Sequence, residues 1–200
     1  MAKINKRQLI LELKTSEKIL VREAEQVIKE NFFDPAVKEL QKDVASHPVT
    51  QEIEQGIEAK NISNTLGGGD KNLYSFIGFE DGDSPIEPIY ERLDPSNPDG
   101  PKMQYIRGSN LNNLQFNFKI TGPNQEAIES ATPMPWAEGL SWTARIEKGI
   151  PGFGRFLNRI GARNSHSGGG IQVKNQLREG RFKNVSYLSG IFNKFISRFK

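Results

Sequence analysis

Five prolines stand between residues 80 and 101, at positions 85, 88, 95, 98 and 101. A proline fixes φ and donates no backbone N–H, so neither a helix interior nor a central strand runs through such a stretch. The fold must therefore be built from what lies on either side. Before the prolines the apolar spacing is helical; after them the chain alternates as strands do. The pattern reads as α+β: N-terminal helices packed on a small antiparallel sheet, joined by long loops.

Residues 6–31 read as helix, with a break expected near Thr15-Ser16, where Ser16 caps a segment carrying Ile19, Leu20, Ala24, Val27 and Ile28 on one face. Asp34-Pro35 signals a restart, with Asp as N-cap and Pro at the first helical position. Val37, Leu40 and Val44 give that helix its stripe, and His47-Pro48 ends it. His47 reads as a helix-end residue whose imidazole meets the last carbonyls. A third short helix is expected from Thr50 to about Ala59.

Three runs read as strands of the sheet: 73–79, 114–120 and 140–147. Met103 to Ile106 and Ile171 to Val173 are shorter candidates, and 124–131 reads as a short helix. Alternation places Phe76, Ile77, Phe79, Phe116, Phe118, Trp142 and Ile146 in the sheet's buried contacts. Within the proline-rich stretch, Ile86 to Leu93 has room for one turn of helix. The rest has no periodicity, and a loop of that length is often a contact element.

Charge divides the chain a second way. Residues 145–200 carry 12 Lys+Arg against 2 Glu, and residues 1–144 carry 15 Lys+Arg against 22 Asp+Glu. The chain is thus read as a core domain, 1–148, and a basic C-terminal arm, 149–200. The arm ends in an amphipathic helix. Leu188, Ile191, Phe192, Phe195 and Phe199 fall at helical spacing, the pattern of a helix laid in a groove. They are the expected partner-binding residues, together with Arg155, Arg159 and Arg163 upstream. Lys and Arg interleaved with aromatics also suit single-stranded nucleic acid, the alternative reading of this arm. Helical spacing of the rings favours a packed stripe over base platforms.

Little points to catalysis. There is no cysteine, which excludes disulfides, thiolate metal sites and a Cys nucleophile. Gly67–Gly69 and Gly168–Gly170 lack the Gly-Lys-Ser/Thr of a phosphate loop. Glu80-Asp81-Gly82-Asp83 lacks the register of a calcium loop. The expectation is a protein with no catalytic residue, cofactor or metal. No stretch approaches the roughly 20 apolar residues of a membrane span, and the N-terminus lacks the apolar core of a signal peptide. A cytoplasm-like compartment and no membrane partner are expected.

The runs His47-Pro-Val-Thr-Gln-Glu-Ile53, Asn61-Ile-Ser-Asn-Thr-Leu-Gly-Gly-Gly69 and Asn72-Leu-Tyr-Ser-Phe-Ile-Gly-Phe79 resemble virion proteins of contractile-tailed bacteriophages. The likeness is to small neck, tail-completion and minor tail proteins, covers roughly residues 35–90, and transfers no functional residue. It implies a structural, non-enzymatic subunit of head-tail connector, tail-terminator or tail-completion type. Such a subunit forms a ring with copies of itself, contacts neighbouring neck or tail proteins, and resides in a virion assembled in the host cytoplasm. An acidic front and a basic tail agree with this, because head-to-tail contacts between copies close into rings.

Overall fold

The computed structural model describes residues 6–66, 72–106, 116–135, 137–148, 155–158, 171–174 and 182–200. Mixed helix and small antiparallel two-stranded sheets make the chain α+β. It divides into two compact units, each assembled from separated segments. Of the expected 149–200 arm, residues 149–154, 159–170 and 175–181 lie outside the described residues.

The first unit holds residues 1–43, 90–124 and 191–200. Helix α1 (Lys6–Ile28) runs without a break at Thr15-Ser16, so the expected cap there is not formed. It passes through one π turn (Lys29–Phe33) into α2 (Asp34–Ser46). Asp34 is helical, φ −61° and ψ −42°, and its N–H donates to the Lys29 carbonyl. The restart read from Asp34-Pro35 is thus a widened turn inside a continuing helix. A proline ring collides with the carbonyl four residues earlier, and a π turn moves that carbonyl aside.

Strands β1 (Lys102–Ile106) and β2 (Asn117–Thr121) pair antiparallel, with Tyr105 opposite Phe118 and their rings 5.6 Å apart. Phe116 and Phe118 are only half-buried, which corrects the expectation that they form a sheet core. A two-stranded hairpin offers too little surface to bury a sheet core of its own. The prolines before β1 are tied by local hydrogen bonds. Lys102 Nζ donates to the Pro95 carbonyl at 2.6 Å, and Asp94 and Asn97 accept from the amides of Ser96 and Asp99. Gly100 is required there, since a Cβ would run into the Asp94 carbonyl.

The second unit holds residues 44–89 and 125–190. Helix α3 (Pro48–Glu54) starts at Pro48, with His47 extended (φ −68°, ψ 135°) as its N-cap. A 3-10 turn (Gly56–Glu58) follows. Residues 73–77 form a helix, α4 (Leu73–Ile77), and not the expected strand. Asn72 caps it by accepting from the Ser75 amide at 2.9 Å. Gly78 ends it in the left-handed region at φ 96°, where its N–H and that of Phe79 both reach the Tyr74 carbonyl. Helix α5 (Glu87–Glu91) occupies part of the proline-rich stretch, as expected. Ile86, Ile89 and Leu93 are buried, so this part of the stretch packs within its own chain.

Helix α6 (Gln125–Ala131) leads into the hairpin β3 (Pro133–Met134) and β4 (Ala137–Ser141). The expected strand 140–147 stops at Ser141 and becomes helix α7 (Trp142–Lys148). Ser141 Oγ accepts from the Ala144 amide and so caps it. Behind the cap, the hydroxyls of Thr132, Ser141 and Thr143 lie 2.8–2.9 Å from one another, a triangle that satisfies two buried threonines. A third hairpin joins β5 (Arg155–Asn158) to β6 (Ile171–Lys174). The expected single sheet is therefore replaced by separate hairpins. The core of this unit includes Ile53, Leu73, Ile77, Ile89, Ile128, Trp142, Ile146 and Tyr187, most of them on helices. The last helix, α8 (Leu188–Ser197), begins in the second unit and continues in the first.

Candidate interaction surface

Four of the expected partner-binding side chains are occupied within the chain. Leu188, Ile191, Phe192 and Phe195 are buried, and Phe199 is half-buried with its ring 5.4 Å from Phe195. Arg155 starts β5, while Arg159 and Arg163 lie outside the described residues. Lys194 of α8 and Arg198 just beyond its end are engaged as well. Lys194 Nζ lies 2.7 Å from Asp43 and 3.8 Å from Glu39, and the Arg198 guanidinium donates to both carboxylate oxygens of Glu39. That hydrogen bond from Arg198, with the nearby positive charges, holds the Glu39 carboxyl below its ordinary range. Glu39 and Asp43, four apart on α2, thus receive Lys194 of α8 and Arg198 just beyond its end.

The surface left open is α1. Among the described side chains of α1 and of the π turn up to Phe32 none is buried. Leu20 is 39% exposed, Val27 55% and Phe32 61%, and Ala24 and Ile28 beside them are half-exposed. Leu20, Ala24, Val27 and Ile28 are spaced to share one face. Carboxylates interrupt this face: Glu17 falls between Ala24 and Ile28, and Glu23 between Val27 and Ile19, while Glu25 lies with Lys18 on the far side. Lys18, Arg22 and Lys29 recur at four and seven residues on the opposite face. The stripe itself was legible in the sequence.

Elsewhere the chemistry is structural. In the second unit a cleft of about 580 Å³ takes carboxylates from Glu126 and Glu129 and cations from Arg145 and Lys148. Equal numbers of both signs select no charged ligand. His47 Nδ1 accepts from the Val49 amide at 3.2 Å, and its ring lies 4.9 Å from that of Tyr187. It thus caps α3 and does not meet the carbonyls ending α2, the role expected for it. Tyr187 in turn shares a 2.8 Å hydrogen bond with Thr50, both fully buried. Glu147 accepts from the Tyr187 and Ser189 amides at 3.0 and 2.8 Å, which anchors the start of α8. Among the described residues no group of His, Asp or Glu is arranged to hold a metal ion, and no helix is long and apolar enough to cross a membrane.

Burial lowers the pKa of His47, against the hydrogen bond at Ser186 and the charge of Glu147, which raise it. The folded chain therefore prefers the neutral ring, whose Nδ1 lone pair is the cap. This contribution is complete above the unfolded value near 6.5 and declines as pH falls through the folded value. His47→Asn retains an N-cap without titrating. Between pH 7 and pH 5 its urea midpoint is expected to fall less than that of the parent. Parallel curves would show that the imidazole contributes no pH dependence.

Compared with known proteins, the chain matches no protein family, no curated protein and no solved structure.

Proposed function

We propose that this chain is a non-enzymatic structural subunit of an assembled particle, of the neck or tail type found in contractile-tailed phages. The observation that carries the assembly reading is α1, a 23-residue helix whose apolar stripe is covered by nothing among the described residues. Helices draw most of their stability from packing an amphipathic face, so a stripe of this kind is made to be covered. The virion assignment is supported by the resemblance in residues 35–90, and ring formation by the charge split between front and tail. Pairing of Lys194 and Arg198 with carboxylates weighs against the nucleic-acid alternative, since a phosphate would have to compete with Glu39 and Asp43 for them.

The test is the mass of the full chain in solution by sedimentation. A discrete oligomer is expected. A monomer overturns ring formation. A monomer that shifts a labelled oligonucleotide, with affinity falling steeply in salt, establishes the nucleic-acid reading instead.

A further inference from the structure

We infer that His47 is an acid-sensitive latch that holds residues 185–189, the start of α8 and its lead-in, to the rest of the second unit. It works whether or not the chain assembles. The imidazole is bonded to two segments distant in sequence. Nδ1 accepts from the Val49 amide at 3.2 Å, and the ring also hydrogen-bonds the Ser186 backbone. Its ring lies 4.9 Å from that of Tyr187, whose hydroxyl is 2.8 Å from Thr50 Oγ1. Val185 donates to the Ile146 carbonyl at 3.4 Å, and the Tyr187 and Ser189 amides donate to Glu147. His47 thus stands at a junction of α3, α7 and α8.

With Nδ1 accepting, the neutral ring carries its proton on Nε2. A second proton has to go to Nδ1, where it faces the Val49 N–H. Two donors then point at each other across 3.2 Å. Burial disfavours an imidazolium in place, so the relief is for the ring to swing out to water. Swinging out breaks the bond at Ser186 and removes a ring from the face of Tyr187. The surroundings do not cancel this drive. Burial outweighs the charge of Glu147 on α7 and the Ser186 bond, which both favour the imidazolium. Tyr187 is the titratable neighbour on the α8 side, and Glu52 of α3 is turned to the Ser63 and Leu73 amides. His47 is half-buried, so water can deliver the proton. Opening would uncover Tyr187 and Leu188, which are 0% and 3% exposed when latched.

The test is amide hydrogen exchange of the full chain from pH 7 to pH 5, corrected for the intrinsic pH dependence of exchange. The Tyr187 and Ser189 amides should lose protection as pH falls below the unlatched value near 6.5. The loss should reach at most about tenfold per pH unit, the limit for one proton. The Gly78 and Trp142 amides, in the same unit, should lose less. Parallel loss at all four means that the whole unit opens, and the latch is wrong. His47→Asn keeps a cap for α3 and cannot titrate, so its Tyr187 and Ser189 profiles should be flat. The parent's slope persisting in that variant assigns the proton to another group and overturns the latch. Glu147→Gln keeps an acceptor oxygen and removes the charge, so the His47 titration followed by NMR should move to lower pH. An unmoved titration means that Glu147 does not face the ring, and the junction fails. The parent's profile decides even if neither variant folds: protection at Tyr187 and Ser189 that holds from pH 7 to pH 5 overturns the inference.

Discussion

Trp142→Ala lowers the stability of the chain by about 3–5 kcal/mol, the range for removing a large aromatic from a packed interior. Trp142 is 1% exposed. Its ring stands edge-on to Phe79 at 5.9 Å and nearly parallel to Tyr187 at 6.3 Å. Its position at the first residue of α7 also couples packing to a backbone junction, since its N–H donates to the Thr132 carbonyl at 2.9 Å. The alanine keeps that hydrogen bond and empties the space. Urea unfolding of parent and variant with the same m-value measures the difference. A loss under about 1 kcal/mol would mean that neighbouring rings collapse into the gap, or that Trp142 is not central to this unit.

Glu52→Ala should cost about 2–5 kcal/mol, through hydrogen bonding and not through volume. Glu52 is 0% exposed, and its two carboxylate oxygens accept from different backbone amides, Ser63 and Leu73, each at 2.7 Å. One carboxylate thus ties the segment after the 3-10 turn to the first residue of α4. Alanine leaves both N–H groups without their acceptor, each at a cost of about 1–3 kcal/mol when buried. Glu52→Gln keeps one acceptor oxygen and turns an amide N–H₂ toward the other donor, so it should fall between parent and alanine. Hydrogen exchange at the Ser63 and Leu73 amides locates the effect. Unchanged protection at both in Glu52→Ala would show that other acceptors or water replace the carboxylate.

These two residues also show where sequence reading fails in this chain. Trp142 and Ile146 sit two strand periods apart, and also four residues apart, one helical turn. Leu140, Trp142, Ala144 and Ile146 satisfy alternation, so a strand was the natural reading. The short Ser141 cap and its hydroxyl triangle decide for helix. The run 73–79 is ambiguous in the same way. Leu73 and Ile77 fit both periods, but Tyr74 and Phe76 are buried beside them while Ser75 is exposed, which only a helix achieves. Short apolar runs cannot be told apart by period alone. Glu52 carried no signal at all, because its two donors come from residues 11 and 21 positions later.

What the sequence by itself determined is local. Long helices before the prolines, an interruption at His47-Pro48, a short helix within 80–101, strands near 103–106 and 114–120 and a final amphipathic helix all follow from spacing, proline chemistry and helix signals within a few residues. Tertiary structure decided which stripes are spent. The stripes of α1 and α8 look alike in sequence, each apolar with charge beside it. Phe195 of α8 is 2% exposed and Val27 of α1 is 55% exposed. Periodicity states that a face is apolar, but burial depends on whether a second surface reaches it, and that surface is supplied by residues far away along the chain.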